Sequence, residues 1–267
     1  MAGELVEDDG DFEWAGLLFN GGADGKIHFD RLEGIVGTAP KRDNARERTG
    51  NGMSIGEWRQ SGRTIRAIDC IVEDDDTLDD LRAAMTVRGL HELVWKGIAG
   101  RGSGERLVYA EAVPPADDAI DDEAWSNGIY KVTLEWACPD PRVFNNSVKT
   151  ETIDSSTSTI TNAGNTAGMW SVEVAGPCVN PRIRRIDDPQ AFTFYYRGTV
   201  ASGKTLVINS RTKTATIDGR SVLGSCSGYS PDDLHAWIPL DPGDNDFRFG
   251  SDSGTSSVTF AWRDAWC

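Results

Sequence analysis

The chain reads as a mainly β protein of two β-sandwich-like domains, with one helix in the first. Three observations lead there. Apolar and aromatic residues recur with a period of two in many short runs, such as Val132, Leu134 and Trp136 or Val258, Phe260 and Trp262, as expected of strands with one buried face. The clearest helical period, at Leu78, Leu81 and Met85, lies in the first half, and the second half has none. A stretch rich in Pro, Ser, Thr and Asn follows Cys138, so the boundary is expected near Phe144, giving domains 1–144 and 145–267.

In the first domain, FEWAGLLF (Phe12 to Phe19) and KIHFDRLEGI (Lys26 to Ile35) flank the Gly-rich turn NGGADG as an opening pair of strands. From Thr38 to Trp58 the residues carry many charges and no apolar period. Such a stretch is expected to be a long arm that contacts a neighbour, with Arg42, Arg46, Arg48 and Trp58 as its inter-subunit residues. RTIRAIDCIV (Arg63 to Val72) is a β-branched strand, alternating cleanly at Ile65 and Ala67 and less cleanly at Ile68 and Ile71. A helix follows. Thr77 with Asp80 gives a capping-box pattern, and the acidic run Glu73 to Asp76 suits the positive end of the helix dipole. ELVWKG, RLVYAEAV and YKVTLEWAC are three more strands, stopped by Pro139 and Pro141.

The second domain is a succession of strands and short turns: MWSVEVAG, NPRIRRID, AFTFYYRG, KTLVINS, KTATIDG, HAWIPL, DFRFGS and SSVTFAWRDAW. Asn209, Asp218 and Gly219 occupy turn positions. Strands at this spacing predict a β-sandwich or jelly roll of about 120 residues.

Composition excludes several classes of function. No run approaches the roughly 18 apolar residues of a membrane helix, and the acidic start MAGELVEDDGDFEW is unlike a signal peptide; a soluble protein assembled in a cytoplasm is expected. The five cysteines, Cys70, Cys138, Cys178, Cys226 and Cys267, are far apart and form no CxxC, so free thiols are expected. A net charge of -15 opposes binding of nucleic acid through phosphates. The charge is also uneven: through Ser147 there are 29 acidic and 16 basic residues, a net of -13, and from Val148 onward 13 and 11, a net of -2. Two electrostatically different domains fit that split.

Several motifs invite a chemical reading. GTVASGKT (Gly198 to Thr205) matches the pattern GxxxxGK[ST], whose amides and lysine would cradle phosphates. A phosphate loop needs a helix after it, because the helix N-terminus supplies the amides and the dipole. LVINSRTKTATIDG follows instead, a hairpin, so the stretch is read as a turn between strands. The acidic runs DDAIDDE (Asp117 to Glu123) and DPGDND (Asp241 to Asp246) lack the Gly and Glu of an EF-hand loop and read as solvated, with a weak calcium site at Asp241, Asp244 and Asp246 left open. GIAGRGSG lies between two strands and reads as a hairpin loop. His28, His91 and His235 are dispersed, and no Ser or Cys stands in a nucleophile-elbow context. The expectation is a protein that is not an enzyme and uses no cofactor or metal.

Four stretches taken in order, FEWAGLLF, the LDDLRAAM helix, the CPDPRVF junction, and NAGNTAGMWSVEVAGP followed by GKTLVINSRTKTATIDG, resemble the distal tail protein family of siphophages, of the kind found as minor tail proteins of actinobacterial phages. The ending, WIPLDPGDNDFRF then VTFAWRDAW, resembles it most specifically. The resemblance covers nearly the whole chain and is thinnest over the arm. It implies a structural protein of the virion tail tip: a hexameric ring made by the N-terminal domain, between the tail tube protein and the tail-associated baseplate protein, with a channel that passes DNA without binding it. The C-terminal domain would project outward and look like a galectin or a carbohydrate-binding module. An acidic lumen would then give the charge split a cause, since like charge reduces sticking of DNA.

The alternative reading is a module of the tail tip that binds host glycans, or other minor tail proteins, through exposed aromatic rings. Trp170, Tyr195 and Trp237 are its candidates. Alternation puts Phe192, Phe194 and Tyr196 on one face and Tyr195 on the other, so Tyr195 is expected to be the exposed platform.

Overall fold

Where a strand has one face buried, side-chain character dictates its phase, and the computed structural model shows this along most of the chain. It describes residues 3–20, 25–35, 40–42, 46–47, 53–54, 58–60, 62–97, 104–114, 130–187, 193–228, 237–254 and 258–267. Contacts divide the chain into two units, Met1–Asn146 with Cys267, and Ser147–Trp266.

The first unit contains β1 (Phe12–Trp14), β2 (Leu17–Phe19), β3 (Ile27–His28), β4 (Arg31–Glu33), β5 (Pro40–Arg42), β6 (Arg46–Glu47), β7 (Met53–Ser54), β8 (Trp58–Gln60), β9 (Arg63–Val72), the helix α1 (Asp75–Met85), β10 (His91–Lys96), β11 (Glu105–Val113), β12 (Tyr130–Cys138) and β13 (Val143–Asn145). Its sheet runs β2-β1-β10-β11-β12-β9-β3, with β4 also on β9 and β13 also on β11. The run FEWAGLLF is two strands rather than one: Trp14 pairs Leu17 across a two-residue turn in which Ala15 and Gly16 have φ of 50° and 82°. Positive φ at both positions matches the twist of a tight hairpin. KIHFDRLEGI likewise divides into β3 and β4, each paired with its own stretch of β9.

Along the path of the sheet β11 changes neighbour, besides its pairing with β13. Residues Glu105 to Ala110 pair with β10, and Glu111 to Val113 pair with β12. The sheet therefore changes direction along this strand, and its two parts share one core. Phe12, Phe19 and Trp14 of β1 and β2 meet Trp136 of β12 edge-on, at ring distances of 5.1, 6.0 and 6.2 Å, a geometry that aligns ring edges with π-faces.

The uneven alternation in RTIRAIDCIV has a cause. Ala67 pairs Leu134 and Cys70 pairs Val132, so Ile68 and Asp69 together oppose Thr133, and Asp69 has φ of 53°. This bulge flips the phase, burying Ile65 and Ala67 before it and Cys70 and Val72 after it. The helix also starts earlier than expected. Its N-cap is Asp74, whose carboxylate accepts from the Thr77 amide at 2.7 Å, and Thr77 lies within the helix. Leu81, Ala84 and Met85 are buried, and Trp14 Nε1 donates to the Ala84 carbonyl at 3.1 Å.

The second unit contains β14 (Lys149–Ile153), β15 (Ser158–Asn162), β16 (Met169–Ala175), β17 (Cys178–Val179), β18 (Arg182–Arg185), β19 (Thr193–Tyr196), β20 (Thr199–Val200), β21 (Thr205–Asn209), β22 (Thr214–Ile217), β23 (Arg220–Ser221), β24 (Cys226–Gly228), β25 (Gly243–Gly250), β26 (Val258–Arg263) and β27 (Ala265–Trp266). One antiparallel sheet runs β14-β26-β16-β21-β22-β23 and the other β15-β25-β18-β19-β24. Both contribute to one core, where Phe247 of one sheet lies 4.9 Å from Phe260 of the other. This is a β-sandwich. Two of its strands, β14 and β15, lie in the stretch read from sequence as linker. HAWIPL, read as a strand, makes only the single bridge Gly168 to Leu240 among the described residues.

Buried polar groups join the strands to the loops. Asn162 is fully buried and uses its whole amide. Its Nδ2 donates to the carbonyls of Thr166 and Leu240 at 2.8 and 3.1 Å, and its Oδ1 accepts from the amides of Gly164 and Ala265 at 3.0 and 3.3 Å. Asp264 accepts from the Ala163 amide at 3.0 Å and pairs with Lys149 at 2.6 Å.

Candidate functional site

The arm is built as a ladder. β5 pairs β8, with Pro40 opposite Gln60 and Arg42 opposite Trp58; β6 pairs β7, with Arg46 opposite Ser54 and Glu47 opposite Met53. Each step inward along one strand is matched by one step inward along the other, so the two ladders lie in one nested register, that of a single hairpin. Arg42, Arg46 and Trp58 thus belong to its paired strands, while Arg48 lies outside the described residues. The pairing was not foreseen, because the sequence from Thr38 to Trp58 has no apolar alternation to betray it.

The three aromatic candidates do not form one surface. Trp170 is only 3% exposed, donates from Nε1 to the Ile238 carbonyl at 2.7 Å and stacks on Phe260 at 5.5 Å. It is a core residue, which corrects its candidacy as a glycan contact. Trp237 is half-buried, with its ring 5.3 Å from Phe194 and 6.3 Å from Trp170. Tyr195 stands apart. Phe194 and Tyr196 point inward from β19, and Tyr195 points to the outer face with the Arg197 guanidinium 5.8 Å over its ring. Phe192 lies outside the described residues.

On that same outer face a cavity of about 670 Å³ opens, with Arg182, Arg184 and Arg248 in its wall. Nothing in the reading of NPRIRRID or DFRFGS singled these residues out, since exposed arginines alternating with buried residues look like an ordinary solvated face. Arg185 itself is turned inward. Its guanidinium bridges Asp187 and Asp241 and donates to the Pro239 carbonyl at 3.0 Å.

GTVASGKT is a connection between strands. Thr199–Val200 forms β20, Gly203 turns with φ of 73°, and Lys204 leads into β21 rather than a helix. Lys204 pairs with Asp218 of the following hairpin. Among the described residues a strand, not a helix, follows this turn, so no helix N-terminus offers its row of amides to a phosphate there.

The acidic run at Asp241 is dispersed onto protein partners. Asp241 holds Arg185 at 2.7 Å, while Asp244 and Asp246 accept from the hydroxyls of Thr161 and Thr159 at 2.6 and 2.7 Å. Among the described residues, no group of three His, Cys, Asp or Glu side chains is placed to hold a metal. DDAIDDE and His235 lie outside the described residues, as do Gly100 and Gly102 of GIAGRGSG. His28 faces Glu73 at 3.6 Å and His91 approaches the Arg88 carbonyl at 2.9 Å. All five cysteines are outside disulfides, and burial pushes the thiols of Cys70 and Cys138 up to about 12.

Comparison with known proteins adds the following. Residues 161–266 match the family described as siphovirus-type tail component, C-terminal domain. No curated protein matches the chain in sequence. Among solved structures, the chain is similar to the Dit protein of phage SPP1, described as a paradigm of the hub adsorption apparatus in phages infecting Gram-positive hosts. The TM-score is 0.63 at 13% identity, covering 91% of this chain and 94% of that one. It is also similar to a chain of the phage P2 baseplate in its activated conformation with calcium, with a TM-score of 0.51 at 9% identity, covering 89% of this chain and 91% of that one. The same baseplate with strontium gives 0.51 at 8% identity.

Proposed function

We propose, for a chain whose residues 161–266 belong to the siphovirus-type tail component family, the role of a distal tail protein that builds the hub of a phage tail tip. The observation that carries this reading is the likeness to a hub protein over 91% of the chain, because it extends beyond the family segment into the first unit. Six copies would form a ring through the N-terminal domain, 1–144, with the tail tube protein above and the tail-associated protein below. The C-terminal domain, 145–267, would face outward as a galectin-like module.

A closed ring of identical subunits needs a head-to-tail interface, in which one patch meets a different patch of the next copy. The arm 38–58, with Arg42, Arg46, Arg48 and Trp58 as its inter-subunit residues, would supply one of those patches. Pro40–Arg42 pairs with Trp58–Gln60 and Arg46–Glu47 with Met53–Ser54, so one edge of each of these strands is already bonded. The charge of -13 through Ser147 supports a lumen that DNA crosses without adhering. Outside the ring, Tyr195 offers an aromatic ring to a glycan or to another tail protein, with Trp237 partly covered beside the core. The role asks for no catalysis, and the protein would reach the virion by assembly in the host cytoplasm.

The test is electron microscopy of virions labelled through this protein, with density expected at the distal end of the tail. Label elsewhere on the particle overturns the reading. Mapping the acidic residues on the ring reconstructed from such images tests the lumen; acidic side chains confined to the outer rim would refute that part alone.

A further inference from the structure

The outer face of the five-stranded sheet carries an arrangement that the hub role does not use. Arg184 on β18 and Arg248 on β25 are directly opposite each other in the ladder and both exposed. Like charges in that relation are destabilising. The row through them does nothing to offset it: Arg184 has Thr193 on its other side, and Arg248 donates to the Thr157 hydroxyl at 3.3 Å. Among the described residues no carboxylate pairs with either guanidinium.

The neighbouring row makes room. Gly250 stands opposite Arg182, and a side chain there would come within 3.1 Å of the Arg182 Nε, so the absence of a Cβ opens the floor of the cavity. Arg182 is held by Asp252 at 2.8 Å, and Asp154 is turned onto Ser156, whose amide it accepts at 2.7 Å. The cavity wall thus has three guanidiniums against one lining carboxylate and the paired Asp252. In a chain of net charge -15 this is a local reversal of sign. Tyr195, the cross-strand partner of Arg182, sets an aromatic ring beside it on the same face. Its volume of about 670 Å³ is in the range of small-ligand sites.

We propose that this face is a binding site for an acidic saccharide, with phosphate or carboxylate oxygens taken by Arg184 and Arg248 and a sugar ring laid against Tyr195. Two guanidiniums that pair with no carboxylate among the described residues supply charge-assisted donors in the planar geometry that oxyanions accept. The ring gives a saccharide an advantage over a bare ion, since a sugar face can stack on it. The site requires only the folded second unit, so its failure and the failure of the hub role are separate outcomes.

The test is calorimetric titration of the full chain at low salt with a poly(hexose 1-phosphate), polygalacturonate, neutral dextran and inorganic phosphate. Saturable binding of one or both acidic polymers, none of dextran, and weakening in about 0.5 M salt are expected. Which acidic polymer binds tells phosphate from carboxylate. Arg184→Ala with Arg248→Ala should weaken binding by at least about tenfold, while the unliganded variant melts no lower than the native chain, because a like-charge rung has been removed. Arg184→Gln alone serves as the milder variant should the pair fail to fold. Absence of saturable binding to either polymer, or equal binding by the substituted chain, overturns the proposal. Inorganic phosphate binding as tightly as the polymers overturns the saccharide.

Discussion

Asn162→Leu is a substitution of similar volume at a fully buried position, and its cost follows from the four hydrogen bonds of the amide. The two acceptors it leaves are unequal, because the Leu240 carbonyl also receives the Gly168 amide at 2.8 Å and keeps a partner. The donors matter more. The amides of Gly164 and Ala265 lose this acceptor, and leaving a buried donor unsatisfied costs about 1–3 kcal/mol, less at the half-buried Gly164 than at Ala265. The expected loss is therefore about 2–5 kcal/mol from the second unit, a large part of the roughly 5–15 kcal/mol that stabilises an ordinary domain. With a urea dependence of about 1–3 kcal/mol per molar, the midpoint should fall by roughly 1–2 M. The two units need not unfold together, so hydrogen exchange read by peptide is the assay of choice. Peptides from β16 and β21 should lose protection in urea well before those of the native chain, and peptides from β9 and β12 should be unchanged. A midpoint shift under about 0.3 M for the second unit would refute the claim that this amide holds the loop and the last strand to the sandwich.

Three further outcomes follow from named contacts. Asp74 is held down to about 2, first by the Thr77 amide and hydroxyl and then by Lys26. A depressed carboxylate contributes stability that is complete above its ordinary range and is lost as pH falls towards 2. Exchange at the first turn of α1 should therefore rise on acidification and in Asp74→Ala at neutral pH, and change less in Asp74→Asn, which still caps. Trp14→Phe should cost about 1 kcal/mol more than Trp136→Phe in urea melts, because Trp14 Nε1 donates to Ala84 whereas Trp136 Nε1 is buried with no hydrogen-bond partner among the described residues. ATP with magnesium should leave the melting temperature unmoved in both the native chain and Lys204→Ala; a saturable rise in the native chain would mean that the turn at Gly203 binds phosphate after all.

Much of the fold was legible because one-sided burial imposes alternation. Arg63–Val72, Tyr130–Cys138 and Val258–Arg263 are strands where the residues predicted them, and even the hesitation at Ile68 marked a real feature, the bulge at Asp69. The misses have equally specific causes. β1 and β2 were merged because Ala15-Gly16 turns the chain without the Asn or Asp that usually announces such a turn. The helix start was placed too late because Thr77 mimics a cap, while the capping residue, Asp74, was hidden in an acidic run. The arm was read as irregular because its many charges leave no apolar period in the sequence. Trp170 was offered as a surface candidate because a large aromatic looks alike in a core and on a platform until its Nε1 is seen to bond Ile238. The arginine cavity was illegible for another reason: Arg184 and Arg248 are far apart in the chain and become neighbours only through sheet register.

The two strands mistaken for linker have a consequence for the proposed ring of identical copies. β14 and β15 lie at the borders of their sheets, and their outward positions are Thr150, Glu151, Thr152, Thr159 and Thr161. At the opposite borders, β23 and β24 are only 2 and 3 residues long. A polar or abbreviated border gives a second sandwich little to add itself to. Subunits crowded together can then meet only through surfaces made for meeting, and the composition that concealed these strands from the reader also conceals them from one another.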